Sequence, residues 1–406
     1  MNILMINQPL NNRGDESAHK ALLRAVCKEK KNVRVTVLFI GANPDSIHQF
    51  DVHLPQVTYV NLSEMRGMGC LSKLGMIYNV RWIWHLHPMI FNIMKLYKES
   101  DVVLCAPGGI CMGGFQNWWH LFMLQLAKYI GKPLVYYGRS FGPFPVVTRS
   151  NRQFKKLSVE MLHYFSFLSI RDKKSESLAQ ELGIRYVATV DSAFLDSPKL
   201  ELPDEILSFI GHKPYVVFVP NQLNWHYAYR HVSDDSLLTF YSSIIDLLIK
   251  RYPGHNIVML PQLFNAGGWC DYLFFEKIKG RNPNAPLVSI SDKYNSDVQQ
   301  TVIAGAQSVI GARYHSIVFA INNGVPFISL SYEHKMSGLL CSLGGEEMMV
   351  DIVDTFISSE NMQATIELIR SKLNVICLDQ KLRFKAQNMA QNCFDKFVRS
   401  IFSICG

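Results

Sequence analysis

The 406-residue sequence has no C-x-x-C pair, no G-x-G-x-x-G, no Walker A loop, no H-E-x-x-H and no EF-hand loop. Their absence sets aside zinc-ribbon and thioredoxin-like redox sites, dinucleotide and P-loop nucleotide binding, zinc proteases and calcium hands. Cys27, Cys70, Cys105, Cys111, Cys270, Cys341, Cys377, Cys393 and Cys405 are odd in number and scattered, which fits free thiols in a reducing cytoplasm. No internal repeat or low-complexity tract interrupts the chain. No apolar run approaches the roughly 20 residues of a spanning helix, and no cationic leader precedes the apolar opening, so a cytoplasmic protein without a signal peptide is expected.

The most lipophilic stretch, 82–94, is broken by His85, His87 and Pro88. Trp82, Trp84, Ile90, Phe91 and Met94, flanked by Arg81, Lys95 and Lys98, have the composition of a segment lying on the inner face of a membrane, so peripheral membrane contact is compatible with it. A buried helix or lid is the competing account.

What the chain does have is 48% hydrophobic, 12% aromatic and 18% charged residues, the profile of a folded protein of two or three domains. Lys and Arg number 41 against 33 Asp and Glu, a net +8 without basic runs. That balance favours an anionic ligand and argues against nucleic acid. Short β-rich runs alternate with amphipathic ones, the pattern of parallel sheets with crossover helices. Strands are expected at 3–6, 35–40, 102–105, 134–137, 167–170 and 187–190. A second series is expected at 215–219, 257–260, 287–289, 308–310 and 327–330. The organisation that follows is an N-terminal domain over 1–197, a proline-bearing linker over 198–214, a C-terminal domain over 215–379 and a terminal helix over 380–406.

Gly138-Arg139-Ser140-Phe141-Gly142 matches the G-x-S-x-G of a nucleophile elbow, but Pro143-Phe144-Pro145 follows where the elbow needs a helix. Ser140 is therefore not read as a nucleophile. Asn11-Asn12-Arg13-Gly14-Asp15-Glu16 lies between a strand and a helix, where α/β proteins bind ligands, although a plain capped helix would look the same. Pro107-Gly108-Gly109 also follows a strand, and its glycines suit close backbone approach to a ligand or a tight turn. Arg139 and Arg171 stand at strand ends, with a surface arginine and an Arg171–Asp172 pair as the bland alternatives. Gly311-Ala312-Arg313-Tyr314-His315-Ser316 delivers a guanidinium fork and a titratable imidazole to a helix start, which suits an anionic substrate that must receive a proton, with a histidine that only caps the helix as the bland alternative. Lys335, after the next strand, would extend the positive cluster.

In this order these pieces resemble the polysaccharide pyruvyl transferase family: Gly14-Asp15-Glu16, Pro107-Gly108-Gly109, Gly131-Lys132-Pro133 leading to Tyr137-Gly138 and Gly142-Pro143, Ser169-Ile170-Arg171-Asp172, Asp191-Ser192-Ala193-Phe194, and Arg313-x-His315 through Lys335. The resemblance departs at Arg139, where Gln is usual, and at Asp191-Ser192, where Asp-Pro is common. It implies an α/β fold of two Rossmann-like domains facing a cleft, similar to the GT-B glycosyltransferases, with the acceptor on the N-terminal and the donor on the C-terminal side. It also implies transfer of pyruvate from phosphoenolpyruvate to a sugar of a surface polysaccharide or its precursor, as a cyclic ketal, with no cofactor and no metal. The sugar acceptor could be nucleotide-linked, lipid-linked or polymeric. His315 is then the expected general acid and Arg313 its catalytic partner on the donor. Arg171, Lys335, Arg139, Gly14, Asp15, Gly108 and Gly109 are the expected substrate-binding positions. The competing functions are a nucleotide-sugar glycosyltransferase of the same fold and an inactive glycan-binding relative.

Overall fold

A computed structural model describes residues 1–211, 213–264, 269–377 and 380–404. Cys405 lies outside them. The strands are β1 (Asn2–Ile6), β2 (Arg34–Ile40), β3 (Val57–Leu62), β4 (Val102–Cys105), β5 (Leu134–Arg139), β6 (Phe167–Ile170), β7 (Val187–Ala188), β8 (Tyr215–Val219), β9 (Asn256–Met259), β10 (Leu287–Ser289), β11 (Val309–Gly311), β12 (Phe327–Ser331) and β13 (Met349–Asp351). They form two sheets and the chain divides into two compact units. One unit comprises Met1–Leu10, Ala18–Asp196 and the chain from Asn388; the other comprises Asn11–Ser17 and Ser197–Gln387.

The first unit holds a sheet of order β3-β2-β1-β4-β5-β6-β7, parallel throughout. Its strands are apolar on both faces because helices cover both. Leu4 and Ile6 enter one core with Val103, Phe122 and Leu168, whereas Ile3 and Met5 enter the other with Val35, Leu104 and Tyr137. Local chemistry sets the helix ends. Asn117 caps the helix Trp118–Ile130 by accepting from the His120 amide, and Gly131, left-handed at φ 82°, closes it.

The second unit holds a sheet of order β10-β9-β8-β11-β12-β13, again parallel. Each sheet is doubly wound, and the winding reverses between β1 and β4 in one and between β8 and β11 in the other. Those switch points are where such sheets leave a crevice at the carboxyl ends of their strands.

The structure differs from the sequence reading at several boundaries. β3 and β13 were not expected; both are edge strands, and the half-polar Val57–Leu62 and the three-residue Met349–Asp351 carry little strand signal. The region read as a linker contains the helix Asp204–Ile210, whose Ile206 and Ile210 are buried. The expected terminal helix is present as Gln380–Ile404, and from Asn388 it belongs to the first unit, where Phe397 meets Tyr137 edge-on at 5.2 Å. Phe384 of this helix is exposed. After Ser140 no helix begins until Arg149, and Ser140 is buried, so the elbow geometry is absent.

Candidate functional site

In the first unit the expected positions are Gly108, Gly109, Arg139 and Arg171. Arg139 is almost fully buried at the end of β5. Its Nη1 donates to the Ala106 carbonyl at 2.6 Å and the Asn7 carbonyl at 3.2 Å; Nη2 donates to the Gly109 carbonyl at 3.2 Å and to Cys111 Sγ at 3.1 Å. These bonds run from the end of β5 to the loops that follow β1 and β4, across the switch point. Arg139 is therefore a strut that shapes the crevice. A sequence cannot tell a buried strand-end arginine from an exposed one, since the difference lies in carbonyls brought from elsewhere. Gly108 serves the same construction: at φ 156° it pairs with Arg139, and a Cβ there would lie 2.6 Å from Pro9. At Gly109 the space for a side chain is open.

Arg171 pairs with the fully buried Asp191, whose other oxygen accepts from the Ala193 amide at 3.0 Å. Asp172, the partner considered from sequence, instead caps the helix Lys173–Glu181. Arg171 is thus held in a buried ion pair at the end of β6.

In the second unit the sequence positions Gly14, Asp15, Arg313, His315 and Lys335 stand with residues that sequence reasoning missed. Gly14 and Asp15 were expected on the N-terminal, acceptor side. The structure assigns Asn11–Ser17 to the second unit. The physical cause is backbone pairing: the Arg13 amide donates to Gln262 at 2.9 Å, and the Phe264 amide donates to Asn11 at 3.1 Å. Asn12 Oδ1 caps the first turn by accepting from the amides of Gly14 and Asp15. Arg13 and Glu16 form a buried pair at 2.6 Å, the Arg13 guanidinium lies 4.3 Å from the Phe264 ring centroid, and Glu16 Oε1 accepts from the amide and hydroxyl of Ser296.

This anchored turn presses on His315. A Cβ on Gly14 would lie 1.8 Å from both Cγ and Nδ1 of the imidazole, so glycine is what admits the ring. His315 is buried, edge-on to Tyr314 at 4.9 Å between centroids. The motif carries its own packing rule as well. Ser316 Oγ donates to the Arg313 carbonyl at 2.6 Å, and a Cβ at Gly311 would lie 2.1 Å from that hydroxyl.

Arg313, at the start of the helix Tyr314–Asn323, forms a buried ion pair with Asp271. The other Asp271 oxygen accepts from the amides of Gln262 and Leu263, both at 2.9 Å. Burial works against the guanidinium's charge, but Asp271 outweighs it and raises the arginine pKa further. Across the switch point, Trp225 stands 5.9 Å from the Arg313 guanidinium carbon and donates its indole N–H to Asn221 at 3.0 Å. Beyond β12, Lys335 pairs with Glu333 at 2.9 Å. Burial alone would push the Glu333 carboxyl up, and the Lys335 ammonium holds it below the usual carboxylate range. Tyr332 links the two halves, electrostatically coupled to both Arg313 and Glu333.

The helices Tyr314–Asn323 and His334–Leu343 both begin at this edge without a side-chain cap. The second unit therefore gathers an imidazole, a clamped guanidinium, an ammonium and two helix starts at the carboxyl edge of β11 and β12, an arrangement suited to an anion that exchanges a proton. Asp271 and Asn221 escaped sequence reading because an aspartate at a helix start and an asparagine after a strand are ordinary capping and turn residues; only their partners mark them.

A model of the family described as polysaccharide pyruvyl transferase matches residues 12–334. The chain is 24% identical over 384 residues to the amylovoran biosynthesis protein AmsJ of Erwinia amylovora, covering 87% of this chain and 88% of that protein. Among solved structures, UDP-GlcNAc 2-epimerase from Neisseria meningitidis bound to UDP-GlcNAc superposes with a TM-score of 0.57 at 11% identity, over 98% of this chain and 100% of that one. UGT71G1 of Medicago truncatula, complexed with UDP-glucose, gives 0.58 at 14% identity over 100% and 98%. At these identities the likeness is one of fold: two Rossmann-like domains of the GT-B type.

Proposed function

The chain belongs to the polysaccharide pyruvyl transferase family, and from that premise we propose that it moves the pyruvyl group of phosphoenolpyruvate onto a sugar of an extracellular polysaccharide or its precursor, as a cyclic ketal with release of phosphate. The name of its relative, a biosynthesis protein for amylovoran, supports the polysaccharide side of this reading.

The observation that carries the chemistry is His315 enclosed against Gly14, two residues from an arginine clamped by Asp271. The methylene carbon of phosphoenolpyruvate takes a proton, a sugar hydroxyl attacks the adjacent carbon as it gains oxocarbenium character, phosphate leaves, and a second hydroxyl closes the ketal. His315 supplies the proton as the general acid. Arg313, preset by Asp271, and Lys335 at the next helix start bind the donor's phosphate and carboxylate. Because Asp271 already holds the guanidinium in place, little ordering remains for the donor to impose.

The test is thermal unfolding of wild type and Arg313→Ala with phosphoenolpyruvate, UDP and UDP-hexoses in parallel, followed by phosphate release with candidate acceptors. Stabilisation by phosphoenolpyruvate that Arg313→Ala abolishes, with phosphate as product, is expected. Stabilisation by UDP or UDP-hexoses alone, with UDP as product, would replace the proposal with a nucleotide-sugar glycosyltransferase.

A further inference from the structure

The helix Met68–Ile77, the 3-10 turn Arg81–Leu86 and the helix Pro88–Glu99 form a block within the first unit. Its inward side is anchored on Trp84, which is fully buried and edge-on to Phe122 at 5.2 Å and to Tyr129 at 5.3 Å. Gly75 lets the first helix close over that indole, since a Cβ there would lie 2.1 Å from its nitrogen. The second helix buries Ile90, Ile93, Met94 and Tyr97. These positions satisfy the block's need for a core, so the outward side is free to be polar. Beside the exposed Asn79, His85 and Asn92 it carries large apolar side chains instead: Tyr78 is 66% exposed, Trp82 61% and Leu86 67%, and Phe91 is exposed as well.

Single exposed apolar side chains are ordinary, but several large ones on consecutive elements make a patch that calls for a partner. The elements join them: Leu74 and Tyr78 are one helical turn apart, and the His85 ring stands 6.5 Å from that of Phe91. The frame around the patch is mainly cationic. Between Met65 and Lys98 the chain carries Arg66, Lys73, Arg81, Lys95 and Lys98 and no aspartate or glutamate, with Glu64 and Glu99 flanking the stretch and Glu160 pairing with Arg81 at 3.4 Å. Arg66, Lys95 and Lys98 are exposed. Aromatic and aliphatic side chains inside a mainly cationic frame match the headgroup layer of an anionic bilayer, where rings sit at the interface and ammonium and guanidinium groups meet lipid phosphates.

We propose that this block docks the protein on an anionic lipid surface, with Tyr78, Trp82, Leu86 and Phe91 entering the headgroup layer and Arg66, Lys95 and Lys98 facing the phosphates. The docking does not depend on which group the protein transfers.

The experiment is co-sedimentation with vesicles of phosphatidylcholine alone and of an equal mixture of phosphatidylcholine and phosphatidylglycerol. Wild type is expected to sediment with the mixture at low salt and not with phosphatidylcholine. Trp82→Glu with Leu86→Glu should abolish binding while leaving the unfolding temperature unchanged, because both side chains are exposed. Lys95→Ala and Lys98→Ala should each weaken partitioning about fivefold. Leu273→Glu, equally exposed but in the second unit, should change nothing. Should the double glutamate variant unfold, Trp82→Ser with Leu86→Ser takes its place with the same expected loss. Failure to sediment with either vesicle, or binding that the double variant retains, overturns the proposal. So does a wild-type dimer in light scattering that the double variant turns into a monomer, if neither binds vesicles, since the patch would then be a self-association surface.

Discussion

Gly14→Ala adds one methyl group, and the structure says what that methyl meets. The new Cβ would stand 1.8 Å from Cγ and Nδ1 of His315, against an ordinary carbon contact of about 3.5–4.0 Å, so the ring and the turn must separate by roughly 2 Å. The turn is poorly placed to yield, being held by the Asn12 cap, the backbone pairing to Gln262 and the buried Arg13–Glu16 pair. The imidazole should therefore move. Gly14 lies in the helix Arg13–Glu29, where alanine would otherwise be favoured by about 1 kcal/mol, so any net loss of stability measures the clash. A loss of about 1–3 kcal/mol is expected in urea unfolding. If His315 is the general acid, displacing it should lower kcat by about 10²–10⁴, with a smaller effect on donor KM. The decisive assay is a double-mutant cycle on kcat for phosphate release. His315→Ala should cost about as much as Gly14→Ala, and adding Gly14→Ala to His315→Ala should cost nothing further, because the ring it displaces is gone. Multiplicative effects, or a stable Gly14→Ala variant with wild-type kcat, would refute the reasoning.

Other expectations follow from single contacts. Asp271→Asn keeps the shape of the arginine clamp but removes its charge; breaking a buried pair should cost about 3–5 kcal/mol in urea unfolding and raise donor KM, and unchanged values of both would count against the clamp. Arg139→Lys cannot serve all the acceptors that the guanidinium reaches, so stability should fall by about 1–3 kcal/mol for each carbonyl left without its donor, with donor KM unchanged; a stable variant with weakened donor binding would return Arg139 to the ligand-binding role expected from sequence. His19 is fully buried against Phe50, neither ring nitrogen has a hydrogen-bond partner among the described residues, and burial pushes its pKa down to about 3. The unfolded chain binds a proton there below about pH 6.5 and the folded chain does not until about pH 3, so this contribution to stability is present above pH 6.5 and is lost as pH falls. Between pH 6.5 and 4.5 wild type should lose about 2–3 kcal/mol that His19→Leu keeps, and parallel unfolding curves at the two pH values would show the sign to be wrong.

The sequence announced most of the sheet architecture because a parallel sheet covered on both faces writes itself as apolar runs, as in Val102–Cys105 and Tyr215–Val219. It was silent at β3 and β13, edge strands whose exposed or short backbone needs no such run. At the candidate site the signal was local where the chemistry is local. Arg313 and His315 share one strand-to-helix turn and could be read together, and Lys335 follows the next strand. Arg139 and Arg171 sit at strand ends just as Arg313 does, and nothing in their own neighbourhoods says that Arg139 holds carbonyls while Arg171 and Arg313 each hold a buried carboxylate. Those partners come from distant parts of the chain and are properties of the fold.

Gly14 shows the same limit from the other side. Read locally, Gly14-Asp15-Glu16 is a turn after β1, and the ligand edge of β1's own sheet is the natural place for it. The fold gives each residue of the turn a different duty: Asn12 caps, Arg13 and Glu16 anchor, and Gly14 leaves room for a ring that arrives from the other half of the sequence. Gly75 does the same for the Trp84 indole, so a missing methyl fixes a ring's position without naming its role. For the proton donor we propose at His315, a fixed position is what the reaction asks, since the acid has to reach a single carbon of its substrate.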